Sequence, residues 1–281
     1  MKMDSSFWAG EWERVQSKTG HSSDSSYWDE YAPRFRKKPG KGQKDDYPER
    51  FYELMNPRKD DVIFDMGCGS GVLSIPFAEK GHKIICADFS RGMLDTLMEG
   101  AREDGVEDRI EALTLDWRED WGSRNLPVCD VAVSSRSLMG LAPREAMLKL
   151  ESVARREVCL GLWTHGEFAY EPEIARAIGY EGVNPGIFEY ILNMLLAMGR
   201  RPALDYIYSH FRPKMYSSFE ECLRINRESF PTALNDEQER KLEKYIEDNL
   251  IPYSDKRGKG LILRGSEITC FAFIKWQVLH D

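Results

Sequence analysis

The segment Asp65-Met66-Gly67-Cys68-Gly69-Ser70-Gly71 sets a carboxylate in front of three glycines spaced two apart. Glycines at that spacing let the backbone turn sharply and let a ligand press against bare main chain. A dinucleotide fingerprint needs G-x-G-x-x-G, yet from Gly67 or Gly69 the third position is Val72 or Ser74. No Gly-Lys-Ser/Thr follows, which excludes a Walker phosphate loop. Asp65 opposes a pyrophosphate, which would rest on the positive end of the next helix. It suits a ligand carrying an ammonium and a sulfonium group, so the electrostatics favour S-adenosyl-L-methionine over NAD. Asp88 stands where a carboxylate can accept from both ribose hydroxyls. Phe89 beside it offers a flat surface for adenine, Asp116 can accept from the adenine amino group, and Trp117 can wall the ring.

These residues need strand ends to hold them, and the flanking pattern supplies strands. Residues 61–65 read as a short buried strand, and a helix follows the glycine turn as far as Gly81, bent at Pro76. Residues 83–88 form a second strand, and Ser90 caps a helix with Met93, Leu94, Leu97 and Met98 inward. A third strand, residues 110–115, ends at Asp116-Trp117, and a fourth covers residues 128–134, followed by a helix opening at Pro143. The fifth, residues 157–163, ends at Thr164-His165. Strands alternating with helices of this length indicate a parallel sheet covered on both faces. Further on, Asn184-Pro185 opens an apolar helix that stops at Gly199, and residues 203–208 return to strand composition. Residues 211–260 read as polar and helical, with a capping box at Ser217 and Glu220 and a second helix start at Asn235. Residues 268–278 are again strand-like.

Composition narrows the function classes. The 281 residues carry 39 Lys+Arg and 47 Asp+Glu, a formal charge of −8, which argues against sequence-independent nucleic-acid binding. The basic stretch at residues 34–44 is a local exception that can meet an anion. Six scattered cysteines show no zinc-ligand spacing, so the expectation is a reduced, cytoplasmic protein without a metal. The start lacks the apolar run of a secretory signal, and no apolar stretch approaches the roughly 20 residues of a spanning helix.

Residues 45–165 resemble the core of a class I S-adenosylmethionine-dependent methyltransferase of the small-molecule type. Residues 62–71 are similar to that family's first motif, Ala87-Asp88-Phe89-Ser90 to its second, and Leu115-Asp116-Trp117 to its third. Residues 129–135, ending in Ser134-Ser135, correspond to the strand that reaches the methyl-transfer centre. The resemblance implies a Rossmann-like, doubly wound α/β sheet of seven strands, mostly parallel, with an antiparallel last strand supplied by residues 268–278. It divides the chain into an N-terminal helical cover (1–50), a core (51–210 and 261–281) and a helical insertion near the acceptor pocket (211–260). It implies a cofactor site of Asp65, Gly67, Cys68, Gly69, Gly71, Asp88, Phe89, Met93, Asp116, Trp117, Ser134 and Ser135. Residues 27–32 look like the helix that covers the cofactor in some members.

The acceptor is less defined. After the fourth strand stands Ser134-Ser135-Arg136-Ser137, not the Asn/Asp-Pro-Pro-Tyr/Phe of enzymes that methylate nucleic-acid amino groups. His165 is the best-placed candidate base, and Arg136 can orient an anionic substrate. Tyr208, His210 and the apolar helix around residues 187–198 are further candidates for the pocket wall. The expected function is methyl transfer to a small molecule. Its rivals are a non-catalytic cofactor-binding module, an NAD-dependent oxidoreductase, and a methyltransferase acting on tRNA or protein.

Overall fold

A computed structural model describes residues 4–16, 25–32, 46–138, 142–164, 171–181, 187–210, 213–230, 232–255, 258–266 and 268–279. Strand β1 (Val62–Met66) is apolar but for Asp65 and buried along nearly its whole length, as expected for a strand covered on both faces. It pairs in parallel with β2 (Lys83–Asp88) and with β4 (Cys129–Ser135). β3 (Ile110–Thr114) extends the sheet beyond β2, and β5 (Ala154–Trp163) lies beyond β4.

Two later strands complete the sheet. β6 (Ala203–His210) forms one edge, and β9 (Ile268–Gln277) runs antiparallel between β5 and β6. Among the described residues the order is β3-β2-β1-β4-β5-β9-β6, the doubly wound topology expected from the sequence, with the chain-terminal strand antiparallel. The order reverses between β1 and β4, and ligands of open α/β sheets bind in the crevice beyond the strand ends at such a point.

Alternation along β1 divides the core. Phe64 and Met66 face a cluster shared with α6 (Pro143–Val153) and α8 (Ile187–Ala197), while Ile63 faces the other side. There it meets α3 (Tyr47–Met55), α4 (Ser74–Glu79) and α5 (Arg91–Glu103). The apolar helix α8 is a core element: Tyr190, Ile191, Met194 and Leu195 are buried, and Trp8 and Trp12 of α1 (Ser5–Gln16) stack edge-on against Tyr190.

Several expectations need correction. Helix α4 is shorter than predicted, and Pro76 lies in its first turn, where a missing N–H costs little and bends nothing. Residue 50, the expected limit of the N-terminal cover, falls inside α3, whose Tyr47, Phe51 and Met55 are core residues. The predicted capping box shifts by one residue: Ser218 caps α9 (Phe219–Glu228), and Glu221 reaches back to the Ser217 N–H and hydroxyl. The cap of α10 (Asp236–Asn249) by Asn235 is as predicted.

The region read as wholly helical instead closes with a hairpin, β7 (Leu250–Asp255) and β8 (Gly258–Leu263). Pro252 ends the helical pattern but tolerates an extended edge strand. This hairpin, α9, α10 and α7 (Pro172–Ile178) share a third apolar cluster. No described helix is long and apolar enough to cross a membrane, and no described group of three His, Cys, Asp or Glu is placed to hold a metal ion.

Candidate active site

The glycine turn follows β1 in left-handed backbone, with φ of 71° at Gly67 and 53° at Gly69. A side chain at Gly67 would strike Ser137 Cβ at 2.2 Å, so this position requires the missing Cβ as well as the positive φ. At Gly69 the space is open, leaving main chain available to a ligand. The Gly67 N–H donates to the Ala87 carbonyl at 2.7 Å, and the Gly69 N–H donates to Asp88 Oδ2 at 2.8 Å, so the turn is tied to the end of β2. The Cys68 thiol is buried beside Cys86, and burial pushes its pKa well up.

Asp65 is buried, with the Ser74 hydroxyl donating to its carboxyl at 2.5 Å. Burial pushes it up to about 7, the nearby Asp88 charge adds to the rise, and the Ser74 bond and the Arg136 charge oppose it. Asp88 is also raised by burial, against N–H donors from Ser90, Gly69 and Phe89. Its Oδ2 accepts from the Gly69 N–H at 2.8 Å and its Oδ1 from the Ser90 N–H at 2.9 Å, and a carboxylate has further lone pairs for a ribose. Two carboxyls buried together are costly without a cation, and a bound ammonium and sulfonium would supply one. The donor set therefore fits S-adenosylmethionine.

The adenine end is arranged differently from expectation. Phe89 is half-buried beside Asp88. Trp117 lies in the core, stacked on Trp121 at 5.3 Å, with its indole N–H unpartnered among the described residues. The Asp116 carboxylate pairs with Arg118 at 2.6 Å, which holds it below the usual range. Accepting from an adenine amino group would require it to share that cation. Met93 is buried in the first turn of α5, where its N–H donates to the capping Ser90 hydroxyl at 3.1 Å. Above the N-terminus of α5 lies α2 (Ser25–Tyr31). Asp29 Oδ1 accepts from the Ser90 hydroxyl at 2.6 Å and the Gly92 N–H at 2.9 Å, which sets this helix next to Asp88.

At the end of β4, Ser134 Oγ lies 2.6 Å from Ser137 Oγ, and Ser137 donates to the Met66 carbonyl. Ser135 Oγ lies 2.7 Å from the Tyr47 hydroxyl. A Cβ at residue 161 would come within 2.0 Å of that hydroxyl, so Gly161 makes the contact possible. Arg136 has φ 58°, donates its N–H to the Gly161 carbonyl at 2.8 Å, and lays its guanidinium over the Tyr47 ring at 5.0 Å. Sequence reasoning found Ser134, Ser135 and Arg136 but missed Tyr47 and Ser137. Tyr47 lies 88 residues from Ser135, and nothing in their spacing reveals the contact. His165 and the basic stretch at residues 34–44 lie outside the described residues, as does the side chain of His210. Tyr208 is 66% exposed on the edge strand.

Residues 63–156 match the family model of a methyltransferase domain. The match covers about a third of the 281 residues and takes in the glycine turn, Asp88 and the end of β4. Around it the sheet has the Rossmann-like, doubly wound order expected from the sequence. A Haemophilus influenzae protein of uncharacterised function is 28% identical over 182 residues, 65% of this chain and 66% of that one. The tRNA 5-carboxymethoxyuridine methyltransferase of Escherichia coli K12 is 32% identical over 108 residues, 38% of this chain and 41% of its own length. The matches thus span less than two thirds of either relative. A crystal structure from Bacillus halodurans C-125, given as a candidate methyltransferase, shares the fold with a TM-score of 0.51 at 12% identity, covering 83% of this chain and 99% of that one. The [4+2]-cyclase SpnF shares it with a TM-score of 0.50 at 13% identity, covering 87% and 86%.

Proposed function

We propose that this methyltransferase domain transfers a methyl group from S-adenosylmethionine to a small molecule bound over the ends of β4 and β5. The observation that carries the reading is the buried pair Asp65 and Asp88 around the glycine turn, in a domain of the methyltransferase family. Bound there, the cofactor supplies a methyl carbon activated by sulfonium. Asp88 would accept from the ribose, the open main chain at Gly69 would admit the amino-acid part, and Asp65 would balance the positive charge. Phe89 would offer its face to adenine, with the Asp116–Arg118 pair near the ring edge. Ser134 and Ser137 tie the end of β4 to Met66 and hold the strand ends in line. Methyl transfer is an in-line displacement, so alignment and exclusion of water supply much of the acceleration. Helix α2, latched by Asp29, is suited to exclude water from the ribose side.

The experiment is calorimetric titration with S-adenosylhomocysteine, NAD and NADH in parallel. Micromolar binding of the first alone is expected. A nicotinamide cofactor binding in its place would overturn the reading. Fold alone does not decide the chemistry, as a [4+2]-cyclase on the same fold illustrates. Turnover on an acceptor separates an enzyme from a module that only holds the cofactor.

The similarity to a tRNA methyltransferase supports a second reading, with the basic residues 34–44 as the contact to RNA. Binding to tRNA that weakens steeply as salt rises would favour it, whereas a small neutral acceptor should show little salt dependence.

A further inference from the structure

We infer that β6 docks a second copy of this chain, the two β6 strands pairing antiparallel across the sheet edge to form a two-fold dimer. An edge strand presents a row of unpaired N–H and C=O groups, and proteins blunt such edges with short strands, charge, proline or a bulge. The other edges here are blunted in these ways. β3 has five residues, exposes Glu111, and its Thr114 carbonyl accepts from Arg124 at 3.1 Å. In the hairpin, β7 carries an exposed Pro252, and β8 is bridged at Leu261 by Tyr216.

β6 is built differently. It pairs with β9 over all eight residues in unbroken register, from Ala203 opposite Lys275 to His210 opposite Ile268, and contains no proline, lysine or arginine. Among the described residues no strand lies on its outer side. Alternation along the strand sets Leu204, Tyr206 and Tyr208 on one face, where they are 36%, 40% and 66% exposed. Phe188 of α8 meets the Tyr206 ring edge-on at 6.3 Å, and Ile268 of β9 continues the exposed strip. On the opposite face Ile207 and Ser209 are buried, and Ser209 donates to Asp46 at 2.9 Å. A contiguous apolar strip beside an open strand edge marks an interaction surface.

The pattern is complementary to itself. In an antiparallel pair centred on Tyr206, that residue faces the partner's Tyr206, Leu204 faces the partner's Tyr208, and Asp205 faces the partner's Ile207. Residues directly opposite share a face, so the two strips merge, and aromatic and aliphatic cross-strand pairs add to the ladder. The two Asp205 carboxylates do not oppose each other. Asp205 instead restrains the pairing, because its Oδ1 accepts from the Tyr206 N–H at 2.7 Å and it sets a charge at the edge. With a formal charge of −8 on each chain and a contact of one strand and its neighbours, the dimer belongs to the weak, small-interface class. β9 runs antiparallel to β5 and β6 antiparallel to β9, so β6 runs in the direction of β4 and β5. The two-fold axis therefore turns the two crevices to opposite ends of the joined sheet, and both stay open.

The test is sedimentation of the full chain across the micromolar range, with hydrogen exchange read at the same concentrations. A monomer–dimer equilibrium is expected, with exchange in residues 203–210 slowing as concentration rises. Tyr208→Lys changes an exposed side chain and should keep the thermal midpoint, yet weaken the dimer about ten-fold or more, because the two-fold axis counts the added charge twice. Asp205→Ala should tighten it. S-adenosylhomocysteine affinity should be the same in monomer and dimer. A chain that sediments as a monomer throughout leaves the edge to a strand of another protein or to none, and overturns the inference. A dimer unaffected by Tyr208→Lys, or exchange in residues 203–210 indifferent to concentration, overturns it as well.

Discussion

Asp65 is the residue on which charge and ligand meet. Its carboxyl is pushed up to about 7 in the folded protein, against 3.8 for the unperturbed group. A cation bound beside it lowers that value, so binding expels a proton when the pH is below about 7. Affinity for S-adenosylhomocysteine, which keeps the ammonium group, should then fall by up to about ten-fold per pH unit below 7 and level off above it. Titrations in buffers of different ionisation enthalpy would count the proton, and Asp65→Asn should flatten the profile.

The same shift sets a stability trend. Because the folded pKa is raised, the contribution of Asp65 to stability is complete below about pH 4 and is lost as pH rises through about 7. Thermal midpoints of the wild type and Asp65→Asn, both without ligand, should therefore diverge across that window. Asp88→Ala should weaken S-adenosylhomocysteine by about 1–3 kcal/mol through lost ribose hydrogen bonds. Unchanged affinity in the folded variant would remove Asp88 from the site.

At the scale of elements, what matters is how helices reach the strand ends. Asp29 of α2 caps the N-terminus of α5, and α2 comes so close that a Cβ on Gly92 would lie 3.1 Å from the Asp29 Cα. Asp29→Ala should loosen α2 by about 1 kcal/mol, the usual value of a lost cap. Hydrogen exchange should quicken in residues 25–31 while the global midpoint hardly moves, and affinity for S-adenosylhomocysteine should fall. Protection in 25–31 equal to the wild type would show that Asp29 is not the latch. Helix α3 acts at the end of β4, where Tyr47 reaches Ser135 only because residue 161 is glycine. Gly161→Ala should displace Tyr47 and disturb the end of β4, an overpacking cost of about 1–3 kcal/mol readable in chemical denaturation.

Across the whole molecule, buried ion pairs join elements far apart in sequence. Glu151 of α6 accepts from Arg200 at 2.6 Å and from the Trp276 indole at 2.8 Å, which joins α6 to the segment before β6 and to β9. Removing one partner leaves a buried charge uncompensated, so Arg200→Ala should cost about 3 kcal/mol or more. Affinity for S-adenosylhomocysteine should remain at the wild-type value in the folded fraction, since these residues lie outside the crevice.

The sequence by itself determined the alternation of strands and helices, the glycine turn, and the acidic strand ends at Asp65 and Asp88, all from local signals such as burial runs, caps and turn residues. It also determined the antiparallel last strand, because residues 268–278 have strand composition and the resemblance supplied their place. Trp117 was legible as an aromatic at a strand end, which suits a ring wall and a core position alike. Only packing could set it against Trp121. The capping serine of α9 was uncertain by one residue because Ser217 and Ser218 are adjacent and each has a glutamate three positions on. The tertiary structure alone decided that Tyr47, Ser135 and Gly161 meet, that Arg136 lies on Tyr47 and Phe271, and that Asp29 latches α2 beside Asp88. The hydrogen bonds and ring contacts among them join residues 61 to 135 positions apart, and separations that long leave no periodic trace along the chain.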